Sequence, residues 1–439
     1  MFVTRSDRLV LSLFFFAAQA PDFSVGPVRF KQLFEVCVIL FLPYLLLRLH
    51  NQYRAEPALL FFPFIIYSFY TAVYAYFTLS FFPAGDFGFF KRPLILSFSR
   101  ISQLCLLFFA FNYAWSVIRS LREAEWAIRR YLLISGTIAV ATIASYFIAK
   151  STGYLPRFVY DTAPYEAISS NDVGQLRARG LFNEGGPYGL SLSASLFLCY
   201  LLRASEKQIG WWLPLSIGAA FILSQSKAGL LACLILGSLY AFSHLSLKRF
   251  LIFVGFSMLL LAGLATAYSD FLDGYLNYFH SIESIASRSL RASHTDGNLA
   301  FGRVAGFLIG PKMFLAHPFL GSGLGNYSLM RNDPDYLGPL PPVQGWDLPG
   351  IGIFTILIEN GAIGFIIVLA SYLLFYLRTR KSIQDKRLRF LFWLPLVVQF
   401  ASVQYYFAYH WVYLALYSLF LARGSVRNLP TLSEEITRS

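Results

Sequence analysis

Residues 350–377 read GIGIFTILIENGAIGFIIVLASYLLFYL, with Glu359 as the one charged side chain, and Arg378, Arg380, Lys381, Lys386, Arg387 and Arg389 follow directly. A bilayer core of about 30 Å needs roughly 20 apolar residues in a helix, so this stretch reads as a membrane span. The basic cluster behind it marks the inner side of the membrane. Immediately before the span, from Asp270 to Gly350, the chain turns polar and rich in Gly, Pro and Tyr. An irregular connection of that length is usually functional or disordered. Its aromatic and apolar stretches favour function.

The same ruler applied outward gives spans near 9–26, 31–48, 57–78, 100–118, 131–149, 187–203, 210–225, 228–244, 249–268, 350–377, 388–404 and 406–423. The expected fold is all-α: a single polytopic domain over 1–439 with about twelve transmembrane helices. Composition agrees, because 56% of residues are hydrophobic and only 13% charged, whereas soluble domains carry roughly 25% charge. Leu9–Ala20 behind Arg5 and Arg8 fits a retained first span. Cys37, Cys105, Cys199 and Cys233 lie in apolar runs without CxxC spacing and read as small core hydrophobes.

With the N-terminus inside, 21 of the 36 basic residues and 8 of the 23 acidic ones fall on the inner side. The whole formal excess of +13 therefore reflects membrane orientation, and nucleic acid is excluded as its partner. Both termini are expected to be cytoplasmic, with 424–439 as a tail. Two long segments, 151–186 and 269–349, then lie outside, the second carrying short interfacial helices. Carriers and channels usually place working residues at mid-membrane on broken helices. Here the polar residues gather at the outer rim, which points to binding or chemistry at that interface.

Three constellations stand out. Arg177-Ala178-Arg179-Gly180-Leu181-Phe182-Asn183-Glu184-Gly185-Gly186-Pro187-Tyr188-Gly189 precedes an apolar helix. Arg grips phosphate oxygens bidentately, and a Gly-rich helix start leaves N–H groups free for anions; snorkelling arginines at a capped turn would look the same. Ser224-Gln225-Ser226-Lys227-Ala228-Gly229 is a very short turn that sets Lys227 at the outer interface, either as an anchor or as a ligand cation. The third runs from Arg303 through an amphipathic stretch, 303–316, into His317-Pro318-Phe319-Leu320-Gly321-Ser322-Gly323-Leu324-Gly325-Asn326-Tyr327. Its spacing predicts a helix lying in the interface. His317 is a candidate base or a turn cap, and Asn326 and Tyr327 are candidate ligand contacts. Without a strand–helix unit around it, the glycine string is not a dinucleotide site.

In this order the motifs resemble the O-antigen ligase and polysaccharide polymerase superfamily. The carrying residues are Arg179-Gly180-Leu181-Phe182-Asn183 with Gly189, Ser224-x-Ser226-Lys227-x-Gly229, Arg303, the His317–Tyr327 string, and Leu357-x-Glu359-x-Gly361-x-x-Gly364. The resemblance implies a multi-span glycosyltransferase that moves glycans from a polyprenyl-diphosphate carrier, at the periplasmic face of a bacterial inner membrane. It implies no nucleotide sugar, metal or cofactor. Arg179, Lys227 (where the family usually has Arg) and Arg303 would hold the diphosphate, with Arg177, Arg288 and Arg291 as further cations.

One departure matters. Ligases of this superfamily generally carry a His near position 350, where this chain reads Asp347-Leu348-Pro349-Gly350. A polymerase acting on lipid-linked repeat units is therefore the expected activity, with a ligase joining glycan to lipid A-core as the alternative. Asp347 or Glu184 would then be the base for the acceptor hydroxyl. Direct attack inverts the anomeric carbon. Tyr327, Tyr336 and Trp346 are candidate stacking platforms for sugar rings. Implied partners are the lipid-linked donor and acceptor, with a chain-length regulator protein as a further one. A lipid-linked oligosaccharide transporter is the rival from another class; it calls for mid-helix charges, and Glu35 and Glu359 lie near helix ends.

Overall fold

The computed structural model describes residues 3–21, 23–25, 28–29, 61–82, 92–153, 177–182, 185–205, 207–244, 255, 303–338, 352–379, 391–401 and 408–425. Apart from one short ladder pairing β1 (Ser24–Val25) with β2 (Val28–Arg29), the elements are helical. In chain order they are α1 (Arg5–Gln19), α2 (Phe62–Thr78), α3 (Pro93–Val117), α4 (Leu121–Thr152), α5 (Gly185–Ala204), α6 (Trp212–Leu223) and α7 (Lys227–His244). Then come α8 (Arg303–Ala316), α9 (Tyr327–Met330), α10 (Pro334–Leu337), α11 (Ile353–Thr379), α12 (Leu394–Ala401) and α13 (Ala408–Ser425). Among the described residues, α3, α4, α5 and residues 354–379 of α11 are long and apolar enough to cross a membrane, and residues 212–223 and 228–239 are shorter apolar helices. The protein is a polytopic helical membrane protein. The expected spans 31–48 and 249–268 lie essentially outside the described residues.

The described residues fall into two compact units. The first holds 1–65, 102–233 and 368–439; the second holds 66–101 and 234–367. In the first, α4 packs against α1, α5, α6 and α13. Its start differs from the expected 131, and capping explains why. Ser120 and Glu123 form a capping box, and Glu123 accepts N–H bonds from Arg119 (2.8 Å), Ser120 (3.1 Å) and Val3 (3.0 Å). Satisfying the orphan donors of a helix start fixes the helix there, before the hydrophobic run that hydropathy detects. A stack of rings from Phe61, Phe108, Tyr372, Phe375 and Trp411 fills this unit's aromatic core, with centroids 4.6–6.3 Å apart.

In the second unit, Ile309, Met313, Tyr327, Met330, Leu337 and Ile358 form a buried core, with Leu79, Phe81 and Tyr336 against it. Residues 303–338, within the segment 269–349, are therefore a packed structure. The helix expected over 303–316 is present with those bounds, and it leaves Leu315 74% exposed.

Candidate functional site

In the first unit, the two basic motifs that are separate in sequence are joined. Ala178 donates its N–H to Leu223 O (3.0 Å), the Ser226 hydroxyl donates to Gly186 O (3.0 Å), and Gly229 N–H donates to Ser226 Oγ (3.0 Å). The glycines make this approach feasible. A Cβ at Gly185 would stand 2.7 Å from Ser224 O, and one at Gly229 would stand 3.0 Å from the Gly189 backbone. Phe182 anchors the segment by packing on Tyr188 and Tyr409, with centroids 5.7 and 6.0 Å away. Gln225 holds a left-handed φ of 48°, an uncommon conformation for a side-chain-bearing residue. Arg177 is exposed on this turn and Arg179 half-buried, while Lys227 opens α7 beside it.

In the second unit, the glycine string docks on a break in α11. Gly361 adopts φ 64° and ψ −174°, so the helix ladder is interrupted there. The string supplies what the ladder loses. Ser322 N–H donates to Ile358 O (2.9 Å), Gly323 N–H to Glu359 O (2.7 Å), and Ala362 N–H returns to Pro318 O (2.8 Å). Glu359 is buried, and its Oε1 accepts the Tyr327 N–H at 3.3 Å. From α2, Thr71 donates to Asn360 Oδ1 (3.2 Å) and Tyr67 to Phe319 O (3.0 Å). The last two motifs of the resemblance, the glycine string and the Glu359–Gly364 motif, thus build one joint.

That joint gives several candidate residues a structural task. Asn326 is 1% exposed; its Nδ2 donates to Ser322 O (2.9 Å) and its Oδ1 accepts from Ser97 (3.3 Å). Tyr327 is 3% exposed, and burial pushes its phenol up to about 12, aided by Glu359 and opposed by Arg331. Neither is open to solvent. His317 ends α8, taking Met313 and Phe314 carbonyls at its N–H, and its Nε2 stands 3.3 Å from the Tyr336 hydroxyl. Burial holds its imidazole below the ordinary value despite Asp333. Tyr336 is half-buried, and burial with Asp333 and Asp335 raises its phenol.

Glu184, Arg288, Arg291, Trp346 and Asp347, and the side chains of Lys227 and Arg303, lie outside the described residues. Arg303 enters as the first residue of α8. Among the described residues, no group of three or more His, Cys, Asp or Glu stands together as a metal site. One residue of consequence carried no signal in the sequence: Arg331, 1% exposed, at the end of α9.

Residues 213–369 match the family model described as O-antigen ligase. The stretch takes in the Ser224–Gly229 turn, α8, the glycine string and the Glu359–Gly364 joint, and the resemblance drawn from those motifs is borne out over it. No curated protein matches the chain.

Proposed function

We propose that this O-antigen ligase/polymerase-type membrane protein is a polysaccharide polymerase. It transfers a glycan from a polyprenyl-diphosphate carrier onto a lipid-linked repeat unit at the outer face of a bacterial inner membrane. The observation that carries the reading is the pair of basic motifs bonded to one another through Ser226 and Ala178, which brings the Arg177–Arg179 segment to the turn that ends at Lys227. In the reaction an acceptor hydroxyl attacks the anomeric carbon. The carbon–oxygen bond to the diphosphate breaks, its electron pair stays on the leaving oxygen, and the hydroxyl proton passes to Asp347 or Glu184. Preorganised cations stabilise the charge that develops, and removing one typically costs about 2.7–4 kcal/mol of barrier. Arg179, Lys227 and Arg303 supply them.

The absence of His between Trp346 and Ile353 is what favours polymerase over ligase. Sizing the surface glycan of a deletion strain on a gel separates the two. Lipid A-core bearing a single repeat is expected; long polymer retained on the carrier would establish the ligase instead. Complementation with Arg179→Ala or Arg303→Ala should restore membrane insertion without chain elongation, and normal-length polymer from either variant would sink the cation role.

A further inference from the structure

Arg331 is the largest fully buried side chain of the described part, and none of Nε, Nη1 and Nη2 has a hydrogen-bond partner among the described residues. Its backbone is settled, with N–H on Tyr327 O (3.0 Å) in the turn that closes α9. The side chain interacts electrostatically with Tyr327, itself a member of the buried core with Ile309, Met313, Met330 and Leu337. An ion left unpaired in such surroundings costs several kcal/mol. A lysine could shed its proton to escape this, but a guanidinium cannot under any ordinary condition. Five donors in a planar fork, buried and unsatisfied, are half of an interaction whose other half is an anion with paired oxygens. The carboxylate of Glu359, whose Oε1 accepts the Tyr327 N–H, makes no hydrogen bond to this guanidinium.

We infer that Arg331 binds phosphate oxygens: it is an additional diphosphate ligand on the segment that follows Arg303 and α8. This rests on the glycan-transfer reading above, which supplies a diphosphate as the anion. The buried position gives the contact its strength, since a charge-assisted bond of about 1.5–3 kcal/mol corresponds to roughly a ten- to hundredfold change in affinity.

The test uses the full chain purified in detergent, with binding and thermal unfolding followed for a polyprenyl diphosphate, a polyprenyl monophosphate, inorganic pyrophosphate and phosphatidylglycerol. Arg331→Gln and Arg331→Met should unfold, without ligand, at or above the wild-type temperature, because an unpaired buried charge has been removed. Both should bind the diphosphate probes about ten- to hundredfold more weakly, with Arg331→Lys recovering part of the loss. A lowered unliganded midpoint, or failure of both variants to fold, overturns the inference, since it shows that a carboxylate of this chain already neutralises Arg331. Diphosphate binding that falls in Arg303→Ala yet survives in Arg331→Gln overturns it too and leaves the proposed function intact. A wild-type protein that binds none of the diphosphates overturns both, as does Arg331-dependent binding of phosphatidylglycerol alone.

Discussion

His317 and Arg331 show how far a residue's surroundings outrun its sequence context. In the sequence, His317 before Pro318 is a candidate base but more often a turn cap, and Arg331 carries no signal. Only burial and partners decide: His317 shares Nε2 with the Tyr336 hydroxyl, and Arg331 is enclosed. The same holds for Asn326, whose amide is spent on Ser97 and Ser322. His317 carries a pH prediction. Burial holds its folded-state value below the ordinary 6.5, so the unfolded chain binds the proton more readily. Stability is then full above about pH 6.5 and declines as pH falls through the window beneath it. Thermal unfolding of the detergent-solubilised protein between pH 7 and 5 should show a steeper decline for wild type than for His317→Gln. Parallel curves would mean that the imidazole is not held neutral.

At the scale of elements, the spans and α8 were legible because apolar length and helical spacing are local properties. What stayed hidden depends on contacts between distant segments. The early start of α4 rests on Glu123 gathering Val3, a residue just ahead of α1 and far away in sequence. The break in α11 is invisible to hydropathy, since Gly361 sits within an apolar run, yet it is what receives the glycine string. A Cβ at Gly361 would collide with the Phe319 carbonyl, and one at Gly321 would stand 2.5 Å from Gly361 N. Gly361→Ala should therefore cost about 1–3 kcal/mol from the left-handed backbone alone, and more from the collision. The expected outcome is a protein that inserts but unfolds several degrees lower and elongates poorly; Gly218→Ala is the comparison, as its φ is ordinary and a Cβ there meets nothing within 4 Å. An unchanged unfolding temperature for Gly361→Ala would show that the string does not need this joint. The resemblance singles out these residues, while their use as a structural clasp comes only from the backbone bonds.

For the whole molecule, contacts within the first unit sort the helix ends by side of the membrane, independently of charge. Lys207 after α5 meets Glu125 near the start of α4 at 3.2 Å, and Arg423 at the end of α13 donates to the Ile118 and Trp115 carbonyls at 3.2 and 3.3 Å, at the end of α3. All of these ends were assigned to the inner side from the distribution of Lys and Arg. At their other ends, the start of α5 meets the turn between α6 and α7, both assigned outside. Two physically separate arguments, hydrogen bonding and the charge bias of membrane insertion, therefore agree on which ends share a face. Contacts alone leave inside and outside interchangeable; the excess of +13 selects between them. Labelling tests that selection in a background with Cys37, Cys105, Cys199 and Cys233 replaced, since Cys105 is exposed. In intact cells with a permeabilised outer membrane, Arg177→Cys and Phe319→Cys, both at exposed positions, should react with a membrane-impermeant maleimide. Arg203→Cys and Arg378→Cys should react only after the inner membrane is opened. The reverse pattern would place the Arg177–Gly189 motif and the glycine string in the cytoplasm, where no periplasmic acceptor could reach them, and the polymerase mechanism would fall with the topology.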